Sequence, residues 1–263
     1  MVSVVIPTYN RHDSLLKSVN SVINQSFRNF EVIVVNDNPL DFDVKICIDN
    51  LNDNRCSVFF NKFKKGANGA RNYGIHKSTG TYIAFLDDDD IWLPNYLEEQ
   101  IKMITKNKDY NAIFSGYQKR NYDGNVIEKF FKQSSIDIPN LIKSNFGIGA
   151  SSTLMVRSDL FDEIGLWNEK LQRFQDLELI IRILKTESLL HNPKILVQIP
   201  EGNQGFNLSK LYNSYFIFYF STTKAIINLP FSEFLILNLY LIKKPISLII
   251  KHFIKKINIK NRN

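Results

Sequence analysis

Cysteine is scarce in this 263-residue chain: the two, Cys47 and Cys56, are too few for a disulfide framework and too far apart for a zinc clip. A reducing compartment is the simpler expectation. Histidine is sparse as well, and His12, His76, His191 and His252 are scattered. There is no HExxH, no GxSxG and no Cys/His cluster, so the usual seeds of zinc and serine hydrolases are missing. Acid is nearly absent from the C-terminal part, where residues 205–263 carry nine Lys/Arg against Glu233 alone, a sum of +8. The whole chain is +7, so the preceding 204 residues sum to −1. The basicity belongs to a tail, and a nucleic-acid-binding globular domain is not implied. Long apolar runs are missing too. The longest uncharged stretch of the tail, Leu211–Thr223, has 13 residues, whereas a spanning helix needs about 20. The opening MVSVVIPTYNR has no basic n-region, apolar h-region or small-residue cleavage site, which makes the cytoplasm the expected location.

What is present is 44% hydrophobic and 22% charged residues, the balance of a globular chain with room for one large α/β domain and an appendage. Its centre is Thr81–Trp92, TYIAFLDDDDIW, where an apolar strand runs into Asp87, Asp88, Asp89 and Asp90. Four like charges at a strand end are costly unless a cation or hydrogen-bond donors meet them. Hard oxygen ligands suit Mg²⁺ or Mn²⁺, completed by water and substrate phosphates, which makes the stretch the floor of a metal–diphosphate site. Acidic clusters also occur as solvated loops or helix caps, and Asp90 could cap the helix that Pro94 opens. The loop lacks the Gly that an EF-hand needs at its sixth position.

Taken in order, Val2–Ile6 reads as a buried parallel strand closed by Pro7. A helix follows with Leu16, Val19 and Ile23 on one face and Asp13 as N-cap, and then a second buried strand, Glu31–Val35. This βαβ unit places Thr8-Tyr9-Asn10 and Asp37 beyond strand ends, where open α/β sheets bind ligands. Ser57–Phe60 is a third strand. The basic, glycine-bearing run from Lys64 to Gly74 enters a helix, where backbone N–H groups and the fork of Arg71 suit a phosphate; an incidental helix start is the other reading. Leu97, Ile101 and Ile104 form a core stripe. Ala112–Ser115, Val126–Phe131 and Thr153–Val156 read as strands, Pro139–Asn145 as a short helix, and the run from Gly147 to Ser152 as a flexible loop. In RFQDLELIIRI, Leu177, Ile180 and Ile181 share a helix face and Asp176 lies near the N-terminus, where the macrodipole favours an anion.

These elements, VSVVIPTYNR, the strand ending in Asp37, GANGARNYGI, STGTYIAFLDDDDIW and RFQDLELIIRI, resemble the family 2 glycosyltransferases with a GT-A fold, particularly bacterial enzymes of capsular or O-antigen polysaccharide synthesis. The resemblance covers roughly residues 1–200. It implies a Rossmann-like, mostly parallel sheet flanked by helices, with a catalytic domain at 1–204 (donor half to about 92, acceptor half from 93); the charge balance and apolar spacing of residues 205–263 read separately as a helical tail. It also implies inverting, metal-dependent transfer from a nucleotide sugar, UDP-linked, to a hydroxyl of a lipid-linked oligosaccharide. Pro7, Thr8 and Tyr9 would line the nucleoside pocket, Asp37 would accept from the base, and Arg71 would approach the pyrophosphate. Asp87-Asp88-Asp89 matches the DxD motif, with Asp88 near the ribose and Asp89 binding Mg²⁺ or Mn²⁺. Asp176 matches the catalytic base. The chain departs from relatives at Asn36-Asp37-Asn38-Pro39, where Asp-Asp-Gly-Ser is more usual, and at Gln175, where many carry Glu. The second departure leaves Asp176 as the one carboxylate available as base.

Two other readings compete: a sugar nucleotidyltransferase, and an inactive membrane-bound scaffold of the same fold. The tail supplies a location. From Pro245, Ile246, Ile249, Ile250, Phe253, Ile254 and Ile257 recur at helical spacing, with Lys251, Lys255 and Lys256 largely outside the stripe. That is the pattern of a basic amphipathic helix on an anionic membrane, here the inner face of the cell membrane. A helix packed on the catalytic domain or on a second subunit of a homodimer is the alternative, since Phe216, Phe218, Tyr219 and Phe220 suit a core equally.

Overall fold

A computed structural model describes residues 1–120, 125–129, 135–136, 141, 151–186, 189–200 and 213–220. Strand β1 (Val2–Thr8) is buried at every position and pairs in parallel with β2 (Phe30–Asn36) on one side and β4 (Tyr82–Phe85) on the other. Strand β3 (Cys56–Phe60) extends the parallel set beyond β2. Beyond β4 the sheet becomes mixed. Strand β9 (Leu154–Arg157) inserts antiparallel between β4 and β6 (Ala112–Arg120), which pairs in parallel with β10 (Leu189–Ile199). The order is β3-β2-β1-β4-β9-β6-β10-β5, where β5 is Ile91–Trp92, with β7 (Val126–Lys129) on β6 and β8 (Ser135–Ile136) on β10.

Burial on both faces explains why β1 reads as a continuous apolar run rather than an alternating one. Val2, Val4 and Ile6 pack with Leu15, Val19 and Val22 of α1 (His12–Ile23) and with Leu97 and Ile104 of α4 (Tyr96–Lys106). Val5 joins the opposite core with Ile83, Phe85, Trp167 and the apolar face of α6 (Gln175–Thr186). Leu177, Ile180 and Ile181 are all buried there, as their shared face requires. The remaining described helices are α2 (Asp43–Asp49), α3 (Ala67–Lys77), α5 (Leu160–Ile164) and α7 at 213–220. In α7, Phe218 is core while Phe216 and Phe220 are exposed. No helix among the described residues is long and apolar enough to cross a membrane. The stripe from Pro245 lies outside the described residues, as does Pro139–Asn145 apart from Leu141.

Three local expectations change. Arg11 occupies the N-cap position of α1, with Asp13 inside the first turn, and the buried apolar residues of the helix are Leu15, Val19 and Val22, leaving Leu16 and Ile23 at the margin. The N-cap position of α4 is Asn95, so Asp90 is not its cap. Helix α3 starts at Ala67, so Gly69 and Gly74 lie inside the helix rather than in a phosphate loop. Both serve close packing. A Cβ on Gly69 would stand 1.7 Å from the Lys64 carbonyl oxygen, and one on Gly74 would stand 2.3 Å from Val5 Cγ1. Val5 is fully buried and stiff at χ1, so it has no room to give. Gly74→Ala is therefore expected to lose about 1–3 kcal/mol to overpacking, outweighing the roughly 1 kcal/mol of helix propensity that Ala brings. Urea unfolding checks this: an unchanged or raised midpoint would show that β1 and α3 can separate.

Candidate active site

The site forms where β1 and β4 end side by side. Beyond Leu86 the chain turns at Asp87–Asp90, closed by the Asp90 N–H donating to the Asp87 carbonyl at 3.1 Å. Each carboxylate meets its own donors. The Thr8 hydroxyl donates to Asp88 at 2.8 Å, and Arg11 donates to both Asp88 (3.1 Å) and Asp89 (2.8 Å). Arg71 Nη2 donates to Asp87 at 2.6 Å and to Ser151 Oγ at 3.1 Å, while Ser151 Oγ donates to Asp87 at 2.8 Å. Ser152 Oγ donates to Asp90 at 2.5 Å and accepts the Asp87 N–H at 3.0 Å. The donors predicted as necessary for four adjacent acids are thus Thr8, Arg11, Arg71, Ser151 and Ser152.

Burial divides the acids into two pairs. Asp88 and Asp90 are buried, whereas the side chains of Asp87 and Asp89 are 29% and 39% exposed. Burial pushes the Asp88 carboxyl up from its ordinary value, with Thr8 and Arg11 pulling against it. Asp90 is pushed up to about 8, by burial first and by the field of Asp87 next. Arg71 is fully buried, and although burial works against its charge, Asp87, Asp176 and Asp88 hold the guanidinium cationic. Asp176, at the second position of α6, therefore lies close enough to act on Arg71 and also on Asp90.

Because the folded state keeps a proton on Asp90 that the unfolded chain releases near pH 4, its contribution to stability declines as pH rises from the ordinary 3.8 to about 8. Melts in EDTA should accordingly show stability falling across that window. Asp90→Asn should flatten the fall and be the more stable protein at pH 8; identical pH profiles would mean that Asp90 stays ionised.

The other expected site residues are placed as follows. Pro7 and Thr8 are buried and the Thr8 hydroxyl is committed to Asp88, so of the three only Tyr9, 45% exposed, offers its side chain to a ligand. Lys65 Nζ lies 5.0 Å from the centre of the Tyr9 ring. Asp37, at the end of β2, accepts from Asn61 Nδ2 at 2.7 Å and from the Gly66 N–H at 2.8 Å. Arg71 sits behind the acid turn, its side chain 3% exposed. Among the described residues, no three His, Cys, Asp or Glu side chains are grouped to hold a metal. The arrangement still fits Mg²⁺ or Mn²⁺, which in nucleotide sites bind through one or two carboxylates plus substrate phosphates and water. Asp89 is the most exposed of the four carboxylates, and Arg11 is its one hydrogen-bond donor among the described residues.

The Glycosyl transferase family 2 model matches residues 3–165. The chain belongs to glycosyl transferase family 2. As a family 2 chain it is 34% identical over 158 residues to the Escherichia coli UDP-Glc:alpha-D-GlcNAc-diphosphoundecaprenol beta-1,3-glucosyltransferase WfgD, spanning 60% of this chain and 61% of that protein. It is 30% identical over 205 residues to an uncharacterized glycosyltransferase of Rickettsia typhi, spanning 75% and 63%. The chain thus spans just over three-fifths of the length of these relatives. Among solved structures, S. aureus TarS 1-349 in complex with UDP superposes with a TM-score of 0.72 at 20% identity, covering 91% of this chain and 70% of that one. The Pyrobaculum calidifontis mannosyltransferase PcManGT in complex with GDP-Man and Mn²⁺ gives 0.64 at 16%, covering 87% and 65%. The fold is GT-A.

Sequence reasoning missed Arg11, Asn61, Ser151 and Ser152. Arg11 ends the PTYNR run just past β1, and its signal is a cation close after a strand end. The serines fall in a run whose composition suggests a flexible loop; in the fold both are buried in a 3₁₀ turn, Ser151–Thr153, against the acid turn. Their signal was a pair of small hydroxyls directly ahead of an apolar strand.

Proposed function

We propose that this chain is an inverting, metal-dependent glycosyltransferase that moves a sugar from a UDP-linked donor to a hydroxyl of a lipid-linked glycan in cell-surface polysaccharide synthesis. The observation that carries the reading is electrostatic: Asp176, from α6, acts on the same Arg71 and Asp90 as the acid turn at the end of β4. Two acidic groups with different duties therefore border one site. The named UDP-glucose and lipid-linked acceptor of the E. coli relative, and the UDP and Mn²⁺ complexes of the structural neighbours, support the donor, the acceptor class and the metal. Residues 1–204 are read as the catalytic domain and 205–263 as a basic tail on the inner membrane face.

In this reading Tyr9 and Asp37 hold the nucleoside, Asp88 faces the ribose, and Asp89 holds Mg²⁺ or Mn²⁺. A bound ion would supply positive charge against the diphosphate leaving group. Arg71 holds Asp87 in place behind it and adds a fixed cation to the field. Asp176 takes the proton of the acceptor hydroxyl as its oxygen bonds to the anomeric carbon. The electron pair of the broken carbon–oxygen bond leaves with the nucleoside diphosphate, and attack from the opposite face inverts the centre.

The test screens nucleotide sugars for thermal stabilisation of the full chain in Mn²⁺ and in EDTA, then offers the stabilising donor a GlcNAc-diphospho-lipid. A ligand at 100 times its Kd adds about 2.7 kcal/mol, an easily read shift. Metal-dependent stabilisation by a UDP-sugar, with inversion at the new linkage, is expected. Stabilisation by no nucleotide sugar, or a product of retained configuration, overturns the reading.

A further inference from the structure

Helix α3 carries three buried polar residues, Asn68, Arg71 and Asn72, at i, i+3 and i+4, hence on one face. Asparagine inside a helix is unfavourable and burying its amide is costly, so two of them on a buried face need a reason. Their partners supply it. Asn68 Nδ2 donates to the carbonyls of Asn168 and Leu171, both at 2.9 Å. Asn72 Nδ2 donates to the Trp167 carbonyl at 3.0 Å and to Glu169 at 2.9 Å, and its Oδ1 accepts the Trp167 N–H at 2.9 Å. All four amide N–H groups thus go to one short segment, 167–171. Arg71, between them, donates to Asn68 Oδ1 at 3.0 Å, lies 4.9 Å from the centre of the Trp167 ring, and holds Asp87.

That segment leads into the turn before Asp176. Phe174, at φ +63° and so in the left-handed region, precedes α6. The outer side of this turn is held by α7, where Ser214 Oγ accepts the Gln172 N–H at 3.3 Å and Phe218 packs 5.5 Å from Phe174. We infer that Asn72 and Asn68 are positioning residues that fix Asp176 relative to the acid turn, with α3 as the rigid bar between them. This rests on the reading of Asp176 as the base. A carboxylate displaced by about 1 Å from the acceptor hydroxyl loses about 10²-fold in rate, while the nucleotide contacts stay intact.

The experiment compares full-length wild type with Asn72→Ala in three measurements: UDP binding in Mn²⁺ by calorimetry, the titration of the Asp176 carboxyl by ¹³C NMR (assigned with Asp176→Asn), and transfer from a UDP-sugar to a GlcNAc-diphospho-lipid. The expected result is UDP affinity within twofold, a shifted Asp176 titration because its distance from Arg71 and Asp90 changes, and kcat down by about 10²-fold. Asn68→Ala, which leaves the Trp167 pairing intact, should follow the same pattern more weakly and stands in if Asn72→Ala does not fold. An unshifted Asp176 titration in a folded variant overturns the inference, as does a loss of UDP affinity equal to the loss in kcat. If wild type transfers no sugar, the proposed function fails while the titration still decides the positioning role.

Discussion

In an Asp176→Asn protein, sugar transfer should fall by about 10²–10⁴-fold while UDP binding stays within twofold of wild type. The amide has the shape of the carboxylate and cannot take the acceptor's proton, so the loss appears in kcat. The rival role is purely structural. Asp176 lies in the first turn of α6, where a negative charge complements the helix dipole by about 0.3–1 kcal/mol. A structural role predicts a lower melting temperature with transfer per folded molecule preserved. Measuring kcat, UDP affinity and melting on the same preparations separates the two, and a variant with wild-type kcat would remove Asp176 from the chemistry.

Asp89→Ala should abolish metal-dependent UDP binding, and turnover with it, with little change in stability. Its carboxylate is 39% exposed and its ion-pair partner, Arg11, is 51% exposed, so the pair belongs with surface salt bridges that contribute about 0–1 kcal/mol. Removing it also relieves repulsion felt by Asp88 and Asp90, for both of which Asp89 is among the causes of the raised carboxyl. Asp88→Ala is the contrast. Asp88 is buried and accepts from Thr8 and Arg11, so its loss strands a buried hydroxyl and should cost about 1–3 kcal/mol. Titration of UDP into each protein with Mn²⁺ and with EDTA checks the pair. Wild-type Mn²⁺-dependent affinity in Asp89→Ala would exclude it as the metal ligand.

Much of this site was legible in the sequence because its signals are local. Apolar runs too dense to alternate announced β1, β2 and β4 as strands buried on both faces, and a strand that ends in four acids must find donors. The spacing of Leu177, Ile180 and Ile181 fixed the face of α6 and, with it, the place of Asp176 in the first turn. What the sequence could not specify is which distant groups answer those demands. Only the tertiary structure inserts β9 antiparallel beside β4, which carries Ser151 and Ser152 to Asp87 and Asp90. Only packing decides that Gly69 and Gly74 make room for a backbone and a valine rather than for a phosphate. Burial likewise converts Asp90 from an apparent cap into a proton-retaining acid, and places Arg71 behind Asp87. The physical reason is range: propensity and periodicity act over a few residues, whereas desolvation, close packing and pairing with a donor 60 or more residues away exist only once the sheet has closed.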